Sequence, residues 1–170
     1  MTNIYHATPY DISATGFYFK TLEDYTEQAA THRNEYGDPV EEYEIQFIDG
    51  DNCALFRALN VDQANLAQWF GSFEDLEGDE AIKALYLAED LHCTMNNLLD
   101  KLDDVMLYEG TAQDYCWDYL QDCGILEQIP EHLRFYFDDE AYARDMVLNG
   151  DITEFRADNT DYIVWGVLMY

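Results

Sequence analysis

The residues of this chain that could do chemistry are mainly carboxylates. The sequence has 36 Asp and Glu residues against eight Lys and Arg. They crowd in places, and the stretch YFDDEAYARDMVLNGD, residues 136–151, holds five acids and one arginine. Carboxylates at this density could work as general acids and bases, could ligate calcium, or could supply only negative charge. The spacing of the individual residues helps to separate these possibilities.

Calcium ligation of the EF-hand type finds no support in the spacing. Such a loop needs oxygen ligands at fixed positions, a glycine in the middle and a closing Glu. The segments DGDNCALFRALN, residues 49–60, and NGDITEFRADNT, residues 149–160, lack the alternating acids and the closing Glu. In residues 136–151, Asp138 can cap a helix, Asp139 and Glu140 suit its first turn, and Asn149-Gly150 can end it. Most acids there are explained by a helix over 139–149.

Histidines and cysteines give no pattern typical of a metal site or a nucleophile. The four histidines are scattered without HxxxH spacing, and the four cysteines form no CxxC pair. Cys53, Cys116 and Cys123 lie on apolar stripes, which favours reduced thiols packed in a core. GxGxxG, P-loop and GxSxG motifs are absent from the sequence. A cysteine–histidine or paired-carboxylate site would depend on spatial proximity that a sequence does not give. We therefore expect a protein that is not an enzyme and needs no cofactor.

Negative charge is spread along the whole chain. The formal net charge is −28. Acids minus bases give −9 for residues 1–73, −9 for 74–109, −7 for 110–145 and −3 for 146–170. Such a body repels nucleic acids and anionic membranes and attracts basic surfaces. Solubility or adaptation to high salt would be simpler explanations, but the 15% aromatic content indicates a large ordinary core. The segment MTNIYHATPYDIS lacks the features of a signal peptide, which favours a cytoplasmic location.

The hydrophobic pattern predicts an α+β fold with sheet at both ends and a helical middle. Strand-like segments are NIYHA, TGFYF and YEIQFI near the start, and DITEF and YIVWGVLM near the end, with RADNTD between the last two as a hairpin turn. The predicted helices cover residues 21–35, 51–59, 62–72, 79–92, 94–102, 111–123 and 139–149. We expect three subdomains, 1–60 (α+β), 61–103 (helical) and 104–170 (α+β).

The helix predicted over TAQDYCWDYLQDC, residues 111–123, carries a line of acids. Thr111 is a suitable N-cap, and an apolar stripe runs through Ala112, Tyr115, Cys116, Tyr119, Leu120 and Cys123. Away from that stripe, Asp114, Asp118 and Asp122 follow at every fourth position. A rise of 1.5 Å per residue places one carboxylate about every 6 Å. Like charges at this spacing weaken a helix, so the line indicates selection for charge.

Charge itself is therefore the candidate function. A DNA duplex carries one negative charge per 1.7 Å, so 28 charges correspond to about 48 Å, or roughly 14 base pairs. A folded body with this charge could occupy the DNA channel of another protein. The candidate partner-binding acids are Asp114, Asp118 and Asp122, then Asp100, Asp103 and Asp104, then Glu74, Asp75 and Glu77.

Several segments together resemble the ArdA family of antirestriction proteins. The best match is RFYFDDEAYARDMVLNGDI, residues 134–152, supported by IYHATPYD, EEYEIQFIDGD, LLDKLDD and the ITEF…YIVW pair. The N-terminal third departs from the family pattern at QFIDGDN, residues 46–52.

The resemblance implies a specific function. ArdA proteins are encoded on mobile genetic elements and act in the bacterial cytoplasm as elongated homodimers whose acidic surface mimics DNA. They bind Type I restriction–modification enzymes, whose methyltransferase core holds the DNA, and block restriction and often modification. The alternatives are mimicry aimed at another nuclease, a nucleoid protein or a CRISPR effector, and an acidic adaptor for basic proteins. None of these hypotheses involves nucleic acid or membrane as a direct partner.

Overall fold

The computed structural model describes residues 2–166 and has an α+β fold. Within these residues the chain forms helices and two three-stranded antiparallel sheets, one near each end of the chain. The predicted fold class is confirmed. The chain divides into two compact units, the first running to Leu99 and the second starting at Asp100. The division into three subdomains stays a prediction.

Unit 1 contains a small sheet followed by helices. Its strands are β1 (Ile4–Pro9), β2 (Phe17–Phe19) and β3 (Tyr43–Asp49), in the order β2-β1-β3. Its helices are α1 (Leu22–Thr31), α2 (Cys53–Ala58), α3 (Leu66–Ser72), α4 (Gly78–Glu89) and α5 (Met95–Leu98). The strands and helices lie within a few residues of their predicted positions. Three helices, α1, α4 and α5, end earlier in the chain than predicted.

The core of unit 1 is rich in aromatic side chains. Alternate residues of β1 point to the covered face of the sheet and enter this core. Tyr5 and Ala7 are fully buried, as are Trp69 and Phe73 on and just after α3. The Tyr5 ring stacks on Phe19 with centroids 5.4 Å apart. Trp69 and Phe73 therefore belong to the core of unit 1.

Unit 2 contains the second sheet and the acidic helix. A 3-10 turn, Leu99–Asp104, spans the boundary between the units. The strands are β4 (Met106–Glu109), β5 (Thr153–Ala157) and β6 (Thr160–Trp165), in the order β4-β6-β5. The helices are α6 (Ala112–Asp122), α7 (Ile125–Gln128), α8 (Glu131–Arg134) and α9 (Asp139–Asn149).

The predicted hairpin between β5 and β6 is confirmed. Ala157 pairs with Thr160 across a two-residue turn. Asp158 and Asn159 have φ angles of 48° and 65°, the left-handed conformation that a type I′ turn requires and that Asp and Asn tolerate. The part of the strand predicted beyond residue 166 lies outside the described residues.

The buried face of α6 is narrower than its predicted stripe. Ala112, Cys116 and Leu120 are buried in a cluster with Ala143 of α9, Ile152 just before β5, and Ile163 of β6. Tyr119 and Cys123 are exposed, so the prediction of a core thiol at Cys123 was wrong. Their positions lie at the edge of the stripe near the end of the helix, where the neighbouring elements no longer cover them.

Three short elements were not predicted: β4, α7 and α8. Each has four residues, which is too few to show a period. β4 lies just after the predicted subdomain boundary between residues 103 and 104, and it pairs with β6 from Met106–Trp165 to Glu109–Tyr162. Within residues 2–166, each helix is too short or too polar to cross a lipid bilayer.

Candidate functional site: the acidic surface

The carboxylates of this protein lie at its surface. All 36 fall within residues 2–166, and all but four are exposed. The four exceptions are partly buried: Asp11, Asp24, Glu74 and Asp139. Unit 1 has 19 acids and four bases, a net charge of −15, and unit 2 has 17 acids and four bases, a net charge of −13. Each unit is therefore strongly anionic by itself.

The line of acids on α6 is exposed as predicted from its spacing, and Asp114 begins it with a structural role as well. Asp114 and Thr111 form a capping box at the N-terminus of α6. The Asp114 carboxylate accepts from the backbone N–H and the hydroxyl of Thr111, at 3.1 and 2.6 Å. These hydrogen bonds lower the pKa of Asp114, since they favour its charged form. Asp114 therefore keeps its negative charge under mildly acidic conditions.

Asp118, the middle acid of the line, is held by β4. The Tyr108 hydroxyl donates to Asp118 Oδ2 at 2.7 Å. That hydrogen bond to a carboxylate is the main reason why the pKa of Tyr108 is raised to about 12. Tyr108 also packs against the core of unit 2, so the contact fixes the position of one surface carboxylate. Asp122, the last acid, is exposed at the end of α6.

An acidic cleft of about 370 Å³ lies beside this line. Its lining combines the line's first two acids with two other carboxylates, two aromatic side chains and a glutamine: Tyr108, Glu109, Gln113, Asp114, Trp117, Asp118 and Asp139. Gln113 Nε2 donates to Asp139 Oδ2 at 2.9 Å, which links α6 to the first turn of α9. Trp117 is 43% exposed. Among residues 2–166, groups of three or more His, Cys, Asp or Glu side chains that could hold a metal ion are absent.

The other predicted acids form two separate groups. Asp100, Asp103 and Asp104 are exposed on the 3-10 turn, where residues three apart lie one above the other. Asp75 and Glu77 are exposed between α3 and α4 in unit 1. The structure thus brings together Asp114 and Asp118 in the cleft and keeps Asp75 and Glu77 in the other unit.

Glu74 differs from the other predicted acids because it is partly buried in a polar network. Its Oε1 accepts from the Tyr5 hydroxyl at 3.0 Å and from Asn3 Nδ2 at 3.3 Å. Trp69 Nε1 in turn donates to the Tyr5 hydroxyl at 2.8 Å. Burial raises the pKa of Glu74 despite these two hydrogen bonds. Glu74 therefore helps to connect β1 to the end of α3.

The sequence did not single out Glu109, Asp139 or Trp117 as surface neighbours of the acid line. Gln113 and Trp117 are four residues apart, as are Asp114 and Asp118, so a helical wheel could have placed all four on adjoining faces. Asp139 carries no such local signal, because its contact with Gln113 joins residues 26 apart in the chain.

A family model described as "Antirestriction protein (ArdA)" matches residues 10–159, most of the 170-residue chain. The chain belongs to the ArdA family. The match includes every candidate acid named above, and it supports the resemblance seen in the sequence. No curated protein sequence matches the chain. ArdA is a family of antirestriction proteins and not a known enzyme family, and membership implies a restriction enzyme as the general class of partner.

Proposed function

We propose that this ArdA protein is a DNA mimic that inhibits a Type I restriction–modification enzyme. It binds the methyltransferase core in the groove that otherwise holds DNA, so that DNA and inhibitor exclude each other. The mechanism requires no turnover and no cofactor. The protein acts as a homodimer in the bacterial cytoplasm and has neither nucleic acid nor membrane as a direct partner.

The observation that carries this proposal is the position of the carboxylates. Thirty-six acids with none fully buried give a surface whose charge resembles that of a polyanion. Eight bases are too few to neutralise it, and salt bridges such as Arg156–Asp161, with Nε and Oδ1 3.7 Å apart, are exposed. A protein groove that attracts phosphates would attract this surface for the same reason.

The acidic cleft beside α6 offers a local counterpart to a phosphate contact. Carboxylates are good acceptors for the fork of an arginine guanidinium, and an exposed tryptophan ring can stack on the same group. An arginine of the target that normally contacts the DNA backbone could bind between Asp114, Asp118 and Trp117. The Gln113–Asp139 and Tyr108–Asp118 hydrogen bonds hold two of the cleft's carboxylates in place.

A competition experiment tests the proposal. A purified Type I methyltransferase core is bound to fluorescent duplex DNA at moderate salt, and the protein is titrated in while the anisotropy of the DNA is recorded. We expect stoichiometric release of the DNA. Binding of the protein to the core is measured separately by sedimentation without DNA.

Each result has a definite meaning. Release of DNA together with direct binding supports mimicry of DNA. Direct binding without release would overturn mimicry and favour an acidic adaptor for basic proteins. No binding at a large excess over the core would overturn the choice of a Type I enzyme as the partner.

A further inference from the structure

Two loops of unit 1 present large apolar side chains to solvent. Tyr10, Ile12 and Tyr36, here called the apolar tip, are 68%, 103% and 75% exposed. Tyr10 and Ile12 lie in the loop between β1 and β2, and Tyr36 lies between α1 and β3. Single exposed apolar residues are normal on protein surfaces. Three exposed large apolar residues on two loops that are hydrogen-bonded to each other are less common.

The two loops are joined by hydrogen bonds. The backbone N–H of Glu35 donates to the Ser13 carbonyl at 3.0 Å. Asn34 Nδ2 donates to Asp11 Oδ2 at 2.9 Å, and Asp11 Oδ1 accepts from the Ser13 backbone N–H at 2.9 Å. These bonds place residues 11–13 beside residues 34–35, so that the residues of the apolar tip lie on two adjoining loops.

The backbone of the second loop is fixed as well. Asn34 Oδ1 accepts from the backbone N–H groups of Tyr36 and Asp38, at 3.0 and 2.9 Å. The Asn34 N–H donates to the Asp38 carbonyl at 3.0 Å. Tyr36 is therefore exposed on an ordered turn. Side chains displayed on an ordered backbone lose less conformational entropy when they bind, which favours their use as contacts.

Charge around the apolar tip limits what can cover it. The neighbouring loop residues Glu35, Asp38, Glu41 and Glu42 are exposed acids, and Asp11 is partly buried. Arg33, the nearby base, donates to the carbonyls of Ala30 and His32. This acidic surround repels nucleic acid, anionic lipid and the same region of a second copy. A surface that complements it has an apolar depression bordered by Lys or Arg.

We propose that the apolar tip is a docking contact for the basic protein partner, and that it inserts into an apolar depression on that partner's positively charged surface. The inference rests on the proposed function for the identity of the partner. The phosphate backbone of DNA has no equivalent of such a contact, so the apolar tip adds affinity that does not come from charge. It also lets the partner be bound at salt concentrations that would weaken a purely ionic contact.

The test compares two matched double variants. Ile12→Ser with Tyr36→Ser removes two side chains of the apolar tip. Tyr18→Ser with Ile48→Ser removes the same residue types at exposed positions on β2 and β3, 63% and 49% exposed. Direct binding to the Type I methyltransferase core, without DNA, is measured between 0.1 and 0.5 M NaCl for both variants and the unchanged protein. Circular dichroism and urea unfolding verify that each variant is folded.

We expect the apolar-tip variant to bind about tenfold more weakly at every salt concentration, as loss of interface anchors predicts. Its plot of log Kd against log salt should run parallel to that of the unchanged protein, since no charge is altered. The control variant should bind normally. If Ile12→Ser/Tyr36→Ser unfolds, the single change Ile12→Ser is tested in the same way.

The other outcomes are separable. Unchanged affinity, an equal loss in the control variant or a changed salt slope would overturn the apolar-tip proposal while leaving DNA mimicry intact if DNA is still displaced. Binding without displacement of DNA would overturn mimicry, and the comparison of variants would still judge the apolar tip. Absence of binding by the unchanged protein would overturn the choice of a Type I enzyme as the partner, and with it the apolar-tip proposal.

Discussion

A buried tyrosine hydroxyl can stabilise or destabilise a core, depending on whether it has hydrogen-bond partners, and Tyr5 and Tyr25 illustrate the two cases. The Tyr5 hydroxyl accepts from Trp69 Nε1 and donates to Glu74. Tyr25 is also buried, yet within the described residues its hydroxyl has no hydrogen-bond partner. Burial raises the pKa of Tyr25 to about 12 and raises that of Tyr5 further above its ordinary value.

Removing each hydroxyl should therefore have opposite effects on stability. Tyr25→Phe should raise the free energy of unfolding by about 1 kcal/mol, because an unsatisfied buried hydroxyl is costly. Tyr5→Phe should lower it by about 1–3 kcal/mol, because it leaves Trp69 Nε1 without its acceptor. Urea unfolding followed by fluorescence measures both, and changes of the same sign would contradict the account.

Glu74 should give a pH-dependent contribution to stability. Its pKa is raised by burial, so the unfolded chain loses the proton at lower pH than the folded protein does. The stabilising contribution of protonated Glu74 is complete below its ordinary pKa of 4.5 and is lost as the pH rises through the raised value.

The substitution Glu74→Gln makes this visible. The variant should match the unchanged protein in unfolding free energy near pH 4 and be relatively more stable at pH 7, with the difference growing between the two pKa values. Urea unfolding at several pH values measures the difference. Glu77→Gln, at an exposed acid between α3 and α4 that is not among the groups shifting the pKa of Glu74, is the control, and the same pH trend in that variant would exclude Glu74 as the cause.

At the scale of elements, α6 joins a structural role to the proposed binding role. Asp114 completes the capping box with Thr111, Asp118 is held by Tyr108, and all three acids of the line are exposed. Each exposed charge contributes only a fraction of a kcal/mol, so single neutralisations should change binding little. A line of three charges on one rigid helix can add these contributions against one row of bases.

We expect Asp114→Asn, Asp118→Asn and Asp122→Asn together to weaken binding to the methyltransferase core about tenfold. Asn keeps an acceptor for Thr111 and Tyr108, so the helix should remain folded. The control neutralises three exposed acids spread over α7, α9 and β5: Glu127→Gln, Glu140→Gln and Glu154→Gln. Equal losses in the two triple variants would show that total charge matters and the arrangement on α6 does not.

Elements that carry their own signals were predictable from the sequence, and elements that depend on distant partners were not. The helix predicted at 111–123 is α6, Ala112–Asp122, because its cap and its apolar period are local. β4 was missed because its four residues are too few to show a period and its pairing partner β6 comes more than fifty residues later. For the same reason the acids of α6 could be named in advance, whereas the cleft that they form with Asp139 could not.

At the scale of the whole molecule, uniform negative charge should make stability depend on salt. Repulsion among 36 carboxylates with few bases opposes the compact state. Raising NaCl from 0.1 to 1 M shortens the Debye length from about 10 to about 3 Å. The urea midpoint of unfolding should therefore rise with NaCl.

A variant with fewer charges provides the control for this effect. Combining the two triple substitutions removes six negative charges, and its urea midpoint should rise less steeply with NaCl. Equal slopes for the two proteins would indicate that salt acts through general exclusion from the surface and not through screening of carboxylates.

The order of the second sheet, β4-β6-β5, has a consequence for synthesis of the protein. The middle strand is the last of the six described strands to be translated, and Met106 pairs with Trp165. At 5–20 residues per second, a ribosome needs roughly 3–12 s between these two positions. Through that interval a nascent chain can complete the first sheet, while β4 waits with an open edge. A chaperone that covers such an edge would therefore matter more for the second unit than for the first.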